Sequence, residues 1–130
     1  MVRHRTEESA MFTACTRIMI FSEDPEKSAR WWGNVLDAPV DLDVKGDSVF
    51  AWLTIAGFEV GFHMLDEKNN PRGGGLVPYF AVSDLDTALN TLLAAGCTRH
   101  RGPYTPDDGT GHRIAQIVDP FGNIIGLDGP

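Results

Sequence analysis

Cysteine is scarce in this chain. Cys15 and Cys97 are the only two among 130 residues, far apart and without a CxxC pair. That excludes a zinc ribbon and a dithiol redox motif, and makes a reducing, cytoplasmic setting the default expectation. Positive charge is short as well: 11 Lys and Arg stand against 18 Asp and Glu, for a net charge of −7. Binding to phosphate backbones needs a basic surface, so no nucleic-acid partner is expected. The acidity reads as solubility or, more sharply, as attraction for a cationic small molecule. No apolar run approaches the roughly 18–20 residues that cross a bilayer, so no membrane partner is expected either. The opening MVRHRTEESAMF has a basic tip but no apolar h-region, and residues 1–12 read as a flexible tail. The common catalytic signatures are missing too, with no GxSxG, no Walker motif and no GxGxxG ahead of a helix. Gly73-Gly74-Gly75 lacks a following Lys-Ser/Thr and reads as linker.

What is present is an internal repeat. FSEDPEKSARWW (21–32) and AVSDLDTALNTL (81–92) each run from an apolar segment through Ser and Asp into a helical pattern, 60 residues apart. Further on, 54–63 matches 118–128 at a shift of 65 when Gly57 is set on Gly122, the difference being loop length. Length and composition, 42% hydrophobic and 22% charged, describe one ordinary globular domain over 13–128. It divides into a first module over about 13–65, a linker over 66–76 and a second module over about 77–128.

Each module reads as strand, helix and three strands. The first strand spans about 13–21, where Thr16, Ile18 and Ile20 alternate with Cys15, Arg17, Met19 and Phe21. Asp24 is a helix cap with Pro25 behind it, and the helix buries Ala29, Trp32, Val35 and Leu36 before stopping ahead of Pro39. Strands follow at about 40–45, 48–54 and 58–65, with hairpin turns at Lys45-Gly46-Asp47 and Ala56-Gly57. The second module repeats the plan. It has a strand at 77–82, Asp84 as cap, a helix with Leu85, Ala88, Leu89 and Leu92 inward, and Gly96 as its left-handed stop. Strands at about 97–101, 113–118 and 123–127 complete it, with a long loop at 102–112.

A duplicated βαβββ unit ending in VDPFGNIIGL (118–127) resembles the vicinal oxygen chelate superfamily: glyoxalase I, bleomycin-resistance proteins and extradiol dioxygenases. The resemblance covers about 13–128. It implies an α+β fold in which two modules form a cupped eight-stranded mixed sheet with helices outside, enclosing a ligand site, in a homodimer. Enzymes of the family hold a divalent metal with His and Glu side chains from the first and last strands of each module. Those positions fall here on Arg17, seven residues before Asp24; Val77, by the same count from Asp84; Gly126, two after Ile124; and Gly61 by the duplication. Arginine, valine and glycine offer a metal no side-chain lone pair, so no metal and no cofactor are expected.

The remaining residues on the inferred cup face are Arg17, Met19, Phe21, Trp52, Glu59, His63, Tyr79 and Gln116, an apolar and aromatic lining with a few polar anchors. Small Gly61 and Gly126 leave room where a metal would have stood. Arg17 either anchors an anionic or carbonyl oxygen or is neutralised by Glu59 across the cup. His100 and His112 flank the long loop and read as solvent-exposed. Three functions stay open: a metal-independent binder that sequesters a drug or metabolite; a glyoxalase-type lyase, isomerase or dioxygenase with a rearranged or metal-free site; and a structural dimer.

Overall fold

The computed structural model describes residues 10–12 and 14–130, so most of the expected tail, residues 1–9, lies outside the described residues. The elements run β1 (Arg17–Ser22), α1 (Pro25–Leu36), β2 (Asp41–Lys45), β3 (Ser48–Ile55), β4 (Phe58–Met64), β5 (Tyr79–Ala81), α2 (Leu85–Ala94), β6 (Thr98–Tyr104), β7 (Arg113–Val118) and β8 (Ile124–Gly129). They form two four-stranded sheets, ordered β1-β4-β3-β2 and β5-β8-β7-β6. In each, the first strand pairs parallel with the last and the other pairs are antiparallel. This is the α+β class with two βαβββ modules. The compact units are residues 16–76 and 77–130.

In the first unit the Asp24 carboxylate accepts the Lys27 N–H at 3.1 Å, satisfying one orphan donor of α1, and Pro25 follows it. The helix buries Pro25, Ser28, Ala29, Trp32 and Gly33, spaced as one helical face, against β1, β3 and β4. Val35 and Leu36 were expected inward, yet Leu36 is 41% exposed. The inward stripe ends at Gly33 because the chain leaves the helix through Asp37, left-handed at φ 52° and ψ 49°. A Cβ at Gly33 would stand 2.8 Å from the Ala38 carbonyl oxygen, so glycine lets the exit segment return close. Leu53 and Phe62 are fully buried beneath α1. Each such side chain stabilises by about 1.5–3 kcal/mol relative to exposure.

Both hairpins have the expected turns. Gly46 stands at φ 61° between Lys45 and Ser48, and the β3–β4 turn has positive φ at both central residues, Ala56 at 52° and Gly57 at 76°. β1 begins at Arg17 rather than 13, and Cys15 lies exposed ahead of it, not on the strand face.

The second unit repeats the logic. Asp84 accepts the Thr87 N–H at 3.1 Å, and Leu85, Leu89 and Leu92 pack on β7 and β8 over Ala115, Ile117, Ile125 and Leu127. The helix stops at Gly96, φ 118°. Strand β6 runs on to Tyr104 with register shifts on either side of Arg101, so the long loop shortens to 105–112. Asp119 is buried, and its carboxylate accepts the N–H groups of Phe121 and Asn123, both at 2.9 Å. That bonding organises the Asp119-Pro120-Phe121-Gly122 turn from within, beyond what its Pro and Gly provide.

Candidate functional site

One face of the first sheet packs on α1; the other carries the candidate residues. Period-two alternation puts Arg17, Met19 and Phe21 of β1 beside Glu59, Gly61 and His63 of β4, their register partners. Trp52 of β3 pairs with Gly61 on the same face. Six of the expected residues, Arg17, Met19, Phe21, Trp52, Glu59 and His63, therefore share this surface. Phe50, two residues before Trp52, joins them although the sequence reading passed over it; the alternation that placed Trp52 also places Phe50. The Phe50 and Trp52 rings stack at 5.3 Å with 24° between planes, and His63 lies 6.1 Å from Phe50.

Arg17 Nε lies 3.3 Å from Glu59 Oε2. The alignment makes an ion pair without a hydrogen bond, since Oε2 is buried and, among the described residues, has no hydrogen-bonding partner. The two residues are side by side on paired strands rather than opposed across a cup, because β1 pairs directly with β4. With the Arg17 side chain 59% exposed, the pair contributes little to stability but neutralises the charge of both groups locally. His63 Nδ1 stands 3.3 Å from the Asn70 amide nitrogen. An amide NH₂ only donates, so Nδ1 accepts and, in the neutral ring, Nε2 carries the proton. Asn70 is held for this by a tight turn in the linker, exchanging backbone hydrogen bonds with Asp66. The Asp66 carboxyl is held below its usual range by the Lys68 N–H and the Asn69 amide. An open cleft at this turn is lined by Glu23, Leu65, Asp66, Glu67, Pro71 and Arg72.

The room expected over the two glycines is filled. A Cβ at Gly61 would meet Phe50 Cε2 at 2.9 Å and Met19 Sδ at 3.2 Å. In the second unit a Cβ at Gly126 would run into the Tyr79 ring. Met19 and Tyr79 are equivalents in the 60-residue repeat, as Gly61 and Gly126 are in the 65-residue one, so both modules lay a side chain of the first strand over a glycine of the last. A glycine shows its own lack of volume in the sequence, but not what leans over it.

On the second unit's helix-free face, Tyr79 and Gln116 flank Gly126, and Gln116 Nε2 donates to the Tyr79 hydroxyl at 2.7 Å. The hydroxyl accepts in that bond, so its own proton is not used in it. Further along, His112 Nδ1 is 3.0 Å from Asp128 Oδ1. His112 was expected as a solvated loop residue; it is half exposed but tied to the last strand. Val77 precedes β5 and contributes no donor atom.

The residues at the family's metal positions do not fit a divalent metal: one is a paired guanidinium, one is an aliphatic side chain, and two are glycines under side chains. Among the described residues no three His, Cys, Asp or Glu side chains converge to hold a metal ion.

The fold and the repeated device define a two-module glyoxalase-type domain. The family model of the Glyoxalase/Bleomycin resistance protein/Dioxygenase superfamily matches residues 15–127, and the chain belongs to that superfamily. Among solved structures it is similar to a superfamily member from Sphaerobacter thermophilus, with TM-score 0.73 and 22% identity over 92% of this chain and 99% of that one. It is also similar to a glyoxalase/bleomycin resistance protein/dioxygenase family enzyme from Burkholderia phytofirmans, with TM-score 0.71 and 18% identity over 88% and 96%. A virulence protein from Salmonella typhimurium aligns with TM-score 0.68 and 19% identity over 91% and 97%. At these identities the likeness is one of fold. No curated protein matches the sequence.

Proposed function

We propose that the chain binds a small organic molecule without a metal, on the aromatic face of its first module, and that it acts by sequestering a drug or metabolite. The observation that carries this reading is the Phe50–Trp52 stack, whose Phe50 edge lies over Gly61. It puts a flat apolar platform at a position the family gives to a metal ligand. Beside it stand the Arg17–Glu59 pair and His63 as polar neighbours, the mixture typical of small-molecule sites. With Arg17 matched by Glu59, the platform suits uncharged or cationic ligands better than anions. Tryptophan fluorescence titration with planar aromatic compounds tests it. Saturable quenching that disappears in Trp52→Ala is expected; quenching unaltered by that substitution contradicts it.

A second reading, a metal-free lyase or isomerase, is favoured by the second unit. There His112 is oriented by Asp128, and the Tyr79 hydroxyl, accepting from Gln116, retains its own proton to donate. Loss of turnover in both His112→Ala and Tyr79→Phe would mark that reading. We also propose a cytoplasmic homodimer. Exposed Val44, on edge strand β2, is the kind of apolar edge a second copy covers. Light scattering should give twice the 14.2 kDa chain mass.

A further inference from the structure

We infer that the ligand class of the aromatic face is a planar aromatic cation, held by the Trp52 ring and the carboxylate of Asp41. This rests on the reading of that face as a binding site.

In the β2–β3 ladder Asp41 pairs with Trp52 and Asp43 with Phe50, so both carboxylates emerge on the aromatic side of the sheet, next to the rings. Two of the acidic groups on this face already have a cation. Glu59 has Arg17 at 3.3 Å and Asp43 has Lys45 at 3.7 Å. Asp41 is exposed and, among the described residues, has no such partner, so within them the aromatic pair keeps one uncompensated negative charge at its edge. A π-face attracts a cation by its quadrupole and a planar ring by stacking; a carboxylate one strand away adds charge attraction. A planar cation uses all three, a neutral ring only the stacking. An aromatic anion would be repelled by Asp41 and would have to displace Glu59 to reach Arg17. The net charge of −7 draws cations toward the surface as well.

Equilibrium dialysis at mildly alkaline pH with three near-isosteric probes tests this: N-methylacridinium, uncharged acridine and acridine-9-carboxylate. The cation is expected to bind about tenfold more tightly than acridine. Asp41→Asn, an exposed substitution, should remove most of that preference while leaving acridine unchanged, and Trp52→Ala should weaken both. Added salt should reduce the preference. Equal binding of cation and acridine, or a preference that survives Asp41→Asn, overturns the inference while leaving the binding face intact. Best binding by the carboxylate overturns it in favour of Arg17 as an anchor. If no probe binds, the inference and the binding reading fall together.

Discussion

Phe50 lies across Gly61 so closely that a methyl group on the glycine would stand 2.9 Å from its Cε2. The obstacle is the far edge of a ring rather than backbone, so Gly61→Ala should displace Phe50 and leave the sheet intact. The expected loss is about 1–2 kcal/mol in urea denaturation, together with a changed Trp52 emission as the stack opens. Gly126→Ala should cost more, because moving the Tyr79 ring also breaks the Gln116 hydrogen bond. Equal stability of wild type and both variants would show that the rings do not rest on these glycines.

Ala56 offers a gain of stability. It holds φ 52° at the first central position of the β3–β4 hairpin, where L-residues other than Asn, Asp and Gly are strained. Ala56→Asn should raise stability by roughly 0.5–1 kcal/mol, read as a higher urea midpoint with an unchanged slope. A lower midpoint would mean the turn is not of this kind.

Cys97 links stability to alkaline pH. Burial first, and the nearby Asp119 charge second, push its thiol up to about 11 from an ordinary value of 9.0. The folded state thus keeps a proton that the unfolded chain releases above about pH 9. The stabilisation is complete below that pH and is lost as pH rises toward 11, by on the order of 2–3 kcal/mol. Cys97→Ala should lose less stability than wild type across this window. In native protein Cys97 should resist a thiol reagent that labels exposed Cys15. Parallel pH profiles of the two proteins would contradict the assignment.

Local chemistry was legible where one residue type carries the signal: Asp24 and Asp84 as caps, Gly57 in its turn, and the alternation placing Arg17, Met19 and Phe21 on one side of β1. What could not be read depends on contacts between strands distant in sequence. The Arg17–Glu59 pairing was among the readings, but not its side-by-side geometry, which arises because β1 and β4 pair across an intervening helix and two strands. His112 reaches Asp128 only through the β7–β8 register, which pairs neighbouring Ile114 with Asp128. The inward face of α1 was misjudged at its end because apolar Val35 and Leu36 continue the hydrophobic pattern past Gly33, where the chain already turns away through Asp37.

The proposed ligand site is an aromatic platform rather than a metal. Calorimetric titration of N-methylacridinium into protein stripped with chelator, and into the same protein resupplied with zinc, nickel or iron, tests it most directly. One affinity is expected in all cases, lost in Trp52→Ala, with a melting temperature unmoved by metal. Binding that appears only with metal, or a melting temperature that rises with it and falls back in Glu59→Gln or His63→Ala, would contradict it.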